Sequence, residues 1–128
     1  GAEELFQGHP YKGHAFSSSA LENITIPSTL RVLQEGTFTN CAKLTDITLP
    51  EGLEQIEKNS FSNSGLNQIT LSKSLKKMDA SAFSDCKNLQ TIYVEEGCKE
   101  ILSGIGIPKS IRIVRPRRTV PNKLLYNQ

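Results

Sequence analysis

A hydrophobic frame that recurs every 22 or 23 residues predicts a leucine-rich repeat solenoid. Copies begin at Leu21, Leu44 and Leu66, and each has large apolar residues at offsets +3, +5, +9, +12 and +17, with Cys or Ser at +20. A further copy begins at Leu89 and keeps only the first part of the frame. We therefore expect a right-handed, β-rich solenoid in which parallel strands stack along the axis and helix is scarce.

The frame divides one domain, 1–128, into repeats and caps. We expect a partial repeat at 1–20 that caps the N-terminus and a C-terminal cap at 111–128. The four repeats between them are expected at 21–43, 44–65, 66–88 and 89–110. Terminal units depart from the frame because one side of each has no neighbour against which to bury apolar residues. The step from the +17 aromatic residue to the next leading leucine is five residues at Phe61–Leu66 and six at Phe38–Leu44 and Phe83–Leu89, which explains the alternation between 22 and 23 residues.

Each copy begins with a strand pattern. In segment 44–50, apolar and polar residues alternate around β-branched Ile47 and Thr48. Residues at +3 and +5 should face the core, and those at +2, +4 and +6 should face outward. Pro27 and Pro50, at +6, should end the strand because proline lacks the N–H that a ladder requires.

A second strand and a turn complete each copy. Short strands are expected around 30–33, 53–56 and 75–78, where apolar residues occupy +9 and +12. Segments 34–38 and 79–83 should be turns that return the +17 aromatic residue to the core, with little room for helix. One such unit cannot stand alone, whereas four with caps can bury a continuous core.

The cysteines are expected to be free core thiols. Cys41 and Cys86 share the +20 column with Ser64 between them, so two strand spacings of about 4.8 Å separate them. A disulfide requires Cα atoms within about 7 Å. Cys98 falls at +9 and should also be buried. All three should behave as small hydrophobic residues.

No motif indicates catalysis, a cofactor or a metal. His9 and His14 lack a third ligand, and no Ser or Cys is paired with a base in a recognised motif. Gly104 and Gly106 are not followed by the Lys–Ser/Thr of a phosphate-binding loop. No apolar run approaches the roughly 20 residues of a membrane helix. No signal peptide is visible, so we expect either a cytosolic chain or one whose signal was removed.

Charge is distributed unevenly, although the net charge is only +2. From residue 109 onward there are six basic residues and no acidic ones, whereas the preceding part has a net charge of −4. The basic end either keeps the terminus solvated or attracts polyanions or the acidic end of another copy.

The outward side of the first strands is the candidate binding surface. The +2 row is Asn23, Asp46, Gln68, Thr91 and Ile113, the +4 row is Thr25, Thr48, Thr70, Tyr93 and Arg115, and the +6 row is Pro27, Pro50, Ser72, Glu95 and Arg117. We define the candidate protein-binding face as Asn23, Thr25, Asp46, Thr48, Gln68, Thr70, Thr91, Tyr93, Arg115 and Arg117. Tyr and Arg are enriched in binding hot spots. Thr is also simply a favourable exposed strand residue, so both interpretations of the threonine rows stay open.

The repeat resembles the BspA-like leucine-rich repeat. Segment 44–64 reads Leu-x-x-Ile-x-Leu-Pro-x-x-Leu-x-x-Ile-x-x-x-x-Phe-x-x-Ser, and Ser-Ala-Phe-Ser-Asp-Cys at 81–86 precedes Leu89 and Ile92. The resemblance covers residues 15–100. It implies secretion or surface display by host-associated bacteria or protozoan parasites, adhesion to host matrix proteins or cells, and no shared catalytic residues.

These observations predict a non-enzymatic protein-interaction module of a secreted or cell-surface bacterial protein, whose partner is a host or cell-surface protein. No cofactor is expected. One alternative is polyanion binding with a steep salt dependence through Arg112, Arg115, Arg117, Arg118 and Lys123. Nucleic acid is disfavoured as the polyanion because aromatic residues for base stacking are scarce near these arginines. The other alternative is a self-assembling unit, in which sheet edges at the solenoid ends pair two copies into a homodimer.

Overall fold

The computed structural model describes residues 14–95, 101–102, 105 and 107–114. Its strands are β1 (Val32–Leu33), β2 (Gln55–Ile56), β3 (Gln68–Leu71), β4 (Lys77–Met78), β5 (Thr91–Val94) and β6 (Arg112–Val114). They form two parallel sheets, ordered β1-β2-β4 and β3-β5-β6. Within the described ranges only Ile101 and Leu102 are helical. The predicted β-rich repeat solenoid with little helix is therefore confirmed.

The two-residue strands β1, β2 and β4 confirm the second short strand that was expected in each copy. Leu33, Ile56 and Met78 are partners in register across this sheet, and all three are buried. Their neighbours on the other side, Val32, Gln55 and Lys77, are half-buried or exposed. A strand this short suffices because the +12 column needs only one inward side chain per copy.

Strand pairing at the start of each copy depends on the residue at +6. β3 and β5 are four residues long, and the N–H of Glu95 donates to the carbonyl of Leu71 over 3.1 Å. The two preceding copies have proline at +6 and share only an isolated bridge between Thr25 and Thr48. Proline at position 50 cannot donate the corresponding bond, which explains why the ladder is shorter there.

A column of phenylalanine rings forms the centre of the core. The ring centroids of Phe16 and Phe38 lie 5.5 Å apart, those of Phe38 and Phe61 5.5 Å, and those of Phe61 and Phe83 5.6 Å. Neighbouring planes are tilted by only 11–17°. The expected turns do return the +17 aromatic residue to the core, where it stacks on the ring of the next copy.

The turns are joined by backbone hydrogen bonds between copies. The N–H of Phe38 donates to the carbonyl of Ser60 over 2.7 Å, and the N–H of Phe61 donates to that of Ala82 over 2.9 Å. Each turn also needs left-handed backbone at +19, where φ is 58° at Ser18, 59° at Asn40, 55° at Asn63 and 57° at Asp85. Asn and Asp tolerate this conformation better than most residues. The turns thus form a third line of contact between repeats, in addition to the two sheets.

The +20 column alternates serine and cysteine, and its two cysteines are free and buried, as expected. The thiol of Cys41 donates to the carbonyl of Phe16 over 3.1 Å, and that of Cys86 donates to the carbonyl of Phe61 over 2.9 Å. Ser64 lies between them in sequence, with its hydroxyl 3.6 Å from Cys86 Sγ. Burial raises the pKa of the Cys86 thiol, which therefore stays protonated. Cys98 lies outside the described residues.

Among the described residues, no helix has the length and apolar character required to cross a membrane. The division of the chain into four repeats and two caps stays a prediction, because much of 1–20, 89–110 and 111–128 lies outside the described ranges. His9, Gly104 and Gly106 also fall there, whereas His14 is exposed and lies 3.5 Å from the carboxylate of Glu35.

Candidate protein-binding face

The strand pattern exposes the +2 and +4 rows of the candidate protein-binding face. Alternation is strict in β3, where Gln68 and Thr70 are exposed while Ile69 and Leu71 are buried. Of the remaining described members, Thr91 is half-buried. The others are exposed, namely Asn23, Thr25, Asp46, Thr48 and Tyr93. These are the positions that a period of two directs away from the core.

Tyr93 is the largest side chain exposed on this face, with 38% of its surface accessible. It pairs in register with Thr70 of β3 on one side and Val114 of β6 on the other. Thr70 and Gln68 are polar and exposed, so the phenol ring has a polar surface on the β3 side and half-buried Val114 on the other. An amphipathic ring in such a position can bury apolar area and donate a hydrogen bond to a partner.

The register of the last strand corrects two row assignments. Thr91 pairs with Arg112, Ile92 with Ile113, and Tyr93 with Val114. Ile113 therefore does not continue the +2 row, and Val114 occupies the place beside Tyr93 that the sequence assigned to Arg115. A shift of one residue moves side chains to the other side of a sheet, and this register places Ile113 in the same row as buried Ile92.

The outward assignment of the +6 row is wrong for Pro50 and Ser72, which are both buried. The Ser72 hydroxyl lies 3.0 Å from that of Ser74 and donates to the carbonyl of Pro50 over 3.5 Å. In both copies the alternation ends at +5, because buried Leu49 and Leu71 are each followed by a second buried residue. Arg117, assigned to this row, and Arg115 lie outside the described residues.

Arg112 is a residue of this face that sequence reasoning did not select. It is exposed and lies beside Thr91 in register. Its N–H donates to the carbonyl of Gln90 over 2.8 Å, which ties the last strand to the sheet. Ile111 is buried in the place of the leading leucine. Offsets counted from Ile111 are wrong by one residue for the residues of β6, because the repeat frame shifts by one residue between Ile111 and the start of that strand.

Charged side chains lie together on a different surface, beside the sheet formed by β1, β2 and β4. A concavity of about 240 Å³ there is lined by Glu35, Gln55, Ile56, Glu57, Lys58, Lys77 and Asp79. Lys58 lies 3.6 Å from Glu35. Hydrogen bonds from the backbone N–H and the hydroxyl of Ser81, and the nearby Lys58 and Lys77, hold the pKa of Asp79 below its usual range. Because the charges pair locally, this surface presents no field of one sign.

Comparison with known proteins agrees with the repeat architecture. The profile described as "BspA type Leucine rich repeat region" matches the chain in six copies over residues 12–114. Among solved structures, a leucine-rich repeat protein from Bacteroides ovatus is similar, with 16% sequence identity and a TM-score of 0.44. That similarity covers 82% of this chain but only 42% of the other, so the chain spans less than half of its length. No curated protein matches the chain significantly.

Proposed function

The chain belongs to the BspA-type leucine-rich repeat family, and we propose that it is a non-catalytic protein-interaction module that binds its partner through the outward side of β3 and β5. Leucine-rich repeat domains generally serve as protein-interaction scaffolds. The observation that carries the proposal is the exposure of Tyr93 between the in-register residues Thr70 and Val114. Tyrosine is enriched at hot spots because a rigid ring buries a large area at a small cost in conformational entropy.

The biological setting that we propose is the surface of a bacterium, where the module contributes to adhesion to host proteins. Membership of the family supports this setting, since such proteins are commonly secreted or surface-displayed. The exposed face also suits protein recognition, because its polar rows can hydrogen-bond to a partner that removes water from the ring of Tyr93. A host matrix protein is accordingly the partner to test first.

Surface plasmon resonance against immobilised collagen, fibronectin and laminin tests this proposal. We expect at least one to bind with little dependence on salt, and Tyr93→Ala to weaken that binding by roughly tenfold or more, the loss typical of a hot spot. Thr70→Ala should weaken it less, whereas Thr29→Ala, an exposed threonine away from the face, should leave it unchanged. Equal binding by Tyr93→Ala and the unmodified protein would contradict the assignment of this face.

Self-association is the second candidate function, and one observation favours it. Among the described residues β6 is an edge strand with Ile113 37% exposed, and the unpaired backbone N–H and C=O groups of such an edge can template pairing with another strand. The polyanion alternative stays a prediction, since Arg115, Arg117, Arg118 and Lys123 lie outside the described residues. A steep fall of affinity for heparin with rising salt would favour it.

A further inference from the structure

A shallow, open cavity lined by polar residues lies on the turn side of the solenoid, away from the candidate protein-binding face. Its volume is about 430 Å³, and its eight lining residues are Thr39, Asn40, Asn59, Ser62, Asn63, Ser84, Asp85 and Lys87. They come from the corresponding turns of three successive copies. Every one of these side chains can donate or accept a hydrogen bond.

The floor of this cavity is held in place by hydrogen bonds between copies. The Ser62 hydroxyl lies 2.7 Å from that of Ser84 and 2.9 Å from Asn59 Oδ1. Thr39 Oγ1 donates to the carbonyl of Ser62 over 3.2 Å. Ser62 is buried, so the floor is formed before any ligand arrives and little side-chain entropy remains to be lost there.

The rim is made of exposed side chains whose orientation is set by the backbone. Asn40, Asn63 and Asp85 are exposed, and all three adopt the left-handed conformation at the same turn position. Asn63 Nδ2 donates to Asn40 Oδ1 over 2.7 Å, a bond that uses neither Asn63 Oδ1, which is an acceptor, nor Asn40 Nδ2, which is a donor. The carboxylate of Asp85 adds further acceptors one copy along.

The composition of the lining restricts the chemical class of the ligand. Among the described residues that line the cavity, none has an apolar side chain that could desolvate a hydrophobic group. Asp85 and Lys87 carry opposite charges, so the cavity has no net attraction for an ion. The lining offers hydrogen-bond donors and acceptors close to one another. Such a lining can bind a ligand with vicinal hydroxyl groups, because each hydroxyl both donates and accepts a hydrogen bond.

We propose that this cavity is a binding site for a neutral saccharide, with Asn40, Asn63 and Asp85 bonding to adjacent sugar hydroxyls. The site is separate from the proposed protein-binding face and does not depend on it. The absence of an aromatic platform implies weak binding of one saccharide, with dissociation constants in the millimolar range.

Amide chemical shifts of the ¹⁵N-labelled protein, titrated with maltohexaose, cellohexaose, xylohexaose and mannohexaose, test the proposal. We expect at least one sugar to shift the amide signals of Asn40, Asn63 and Asp85 while those of Thr70 and Tyr93 stay in place. Asn63→Gly and Asp85→Gly remove the polar groups and keep the left-handed backbone, so the fold is retained. Each should weaken binding about three- to tenfold, the loss of one hydrogen bond.

Ser18→Gly is the matched control, because Ser18 holds the same turn position in a neighbouring copy and does not line the cavity. It should bind the sugar as the unmodified protein does. The proposal is overturned if none of the four sugars shifts these signals, if the shifts lie on the strand face, or if Asn63→Gly binds unchanged. Binding of a sulfated oligosaccharide alone would also overturn it, since that ligand requires a basic site.

Discussion

Gly65 is the residue at which the shorter repeat is accommodated. Its N–H donates to the carbonyl of Cys41 over 3.1 Å, and its Cα lies so close to the carbonyl of Ala42 that a Cβ would overlap that oxygen. Gly65 lies in the five-residue step from Phe61 to Leu66, and the backbones of two copies approach closely at this point. Only glycine permits this approach without moving a backbone.

Gly65→Ala should therefore lower the free energy of unfolding by about 1–3 kcal/mol, the usual cost of overpacking. Gly52→Ala is the control, because its new Cβ would meet mainly the end of the flexible Arg31 side chain. That variant should stay within about 0.5 kcal/mol of the unmodified protein. Urea denaturation measures both, and equal losses in the two variants would contradict the requirement for glycine at position 65.

Cys86 links the stability of the protein to alkaline pH. Burial raises the pKa of its thiol in the folded state, whereas the unfolded thiol titrates near pH 8.5. Above that pH the unfolded chain releases a proton that the folded chain retains, so stability falls as pH rises, by at most about 1.4 kcal/mol per pH unit. Cys86→Ser should remove this part of the loss, because a serine hydroxyl does not ionise in this pH range. The column accommodates serine, as Ser64 shows.

Urea midpoints at neutral and alkaline pH, compared between Cys86→Ser and the unmodified protein, measure this effect. Tyrosine and lysine also titrate at alkaline pH, but they are common to both proteins and cancel in the difference. An identical alkaline loss in the two proteins would contradict a raised pKa for Cys86.

At the scale of the element, the phenylalanine column joins copies whose strands are short. The copies that begin at Leu21 and Leu44 are joined at their first strands by a single bridge, between Thr25 and Thr48. Their phenylalanine rings nevertheless stack with the same spacing as those of the following copies. Stacked rings contribute about 0.5–1.5 kcal/mol per pair beyond the area that they bury. The column thus compensates where proline interrupts the backbone ladder.

Phe61→Leu keeps an apolar side chain and removes two stacking contacts, whereas Phe83→Leu removes one among the described residues. We expect Phe61→Leu to destabilise the protein by about 0.5–1.5 kcal/mol more than Phe83→Leu. Phe61→Ala should cost about 3–5 kcal/mol, since Phe61 is completely buried. Chemical denaturation monitored by circular dichroism gives these differences, and equal losses at 61 and 83 would mean that stacking adds nothing to burial.

At the scale of the whole molecule, the structure presents two different surfaces along one axis. The strand side exposes Tyr93 among threonines, and the turn side exposes an amide and hydroxyl cavity between copies. A solenoid allows this because the same columns repeat at fixed spacing, so side chains on either side form rows. Light scattering at low and high salt distinguishes a monomer that uses these surfaces for partners from a dimer that pairs through β6.

The repeat frame was sufficient to identify the core columns, the short second strands and the free thiols of Cys41 and Cys86. Leu33, Phe38, Cys41 and their equivalents lie where the offsets predicted, because each column must contact its neighbour at one repeat spacing. The frame could not identify the cavity on the turn side. Its eight residues are polar positions that the hydrophobic pattern leaves unspecified, and only their backbone conformation brings them together.

The sequence by itself determined that this chain stacks leucine-rich repeats, because a column of apolar side chains has to recur at the strand spacing to bury a continuous core. Only the tertiary structure decided the register of β6, the inward turn at Pro50 and Ser72, and the close approach at Gly65. These details depend on which backbone groups meet between copies. A one-residue shift changes the side of a sheet that a residue faces, and the hydrophobic pattern is too degraded at the end of the chain to specify it.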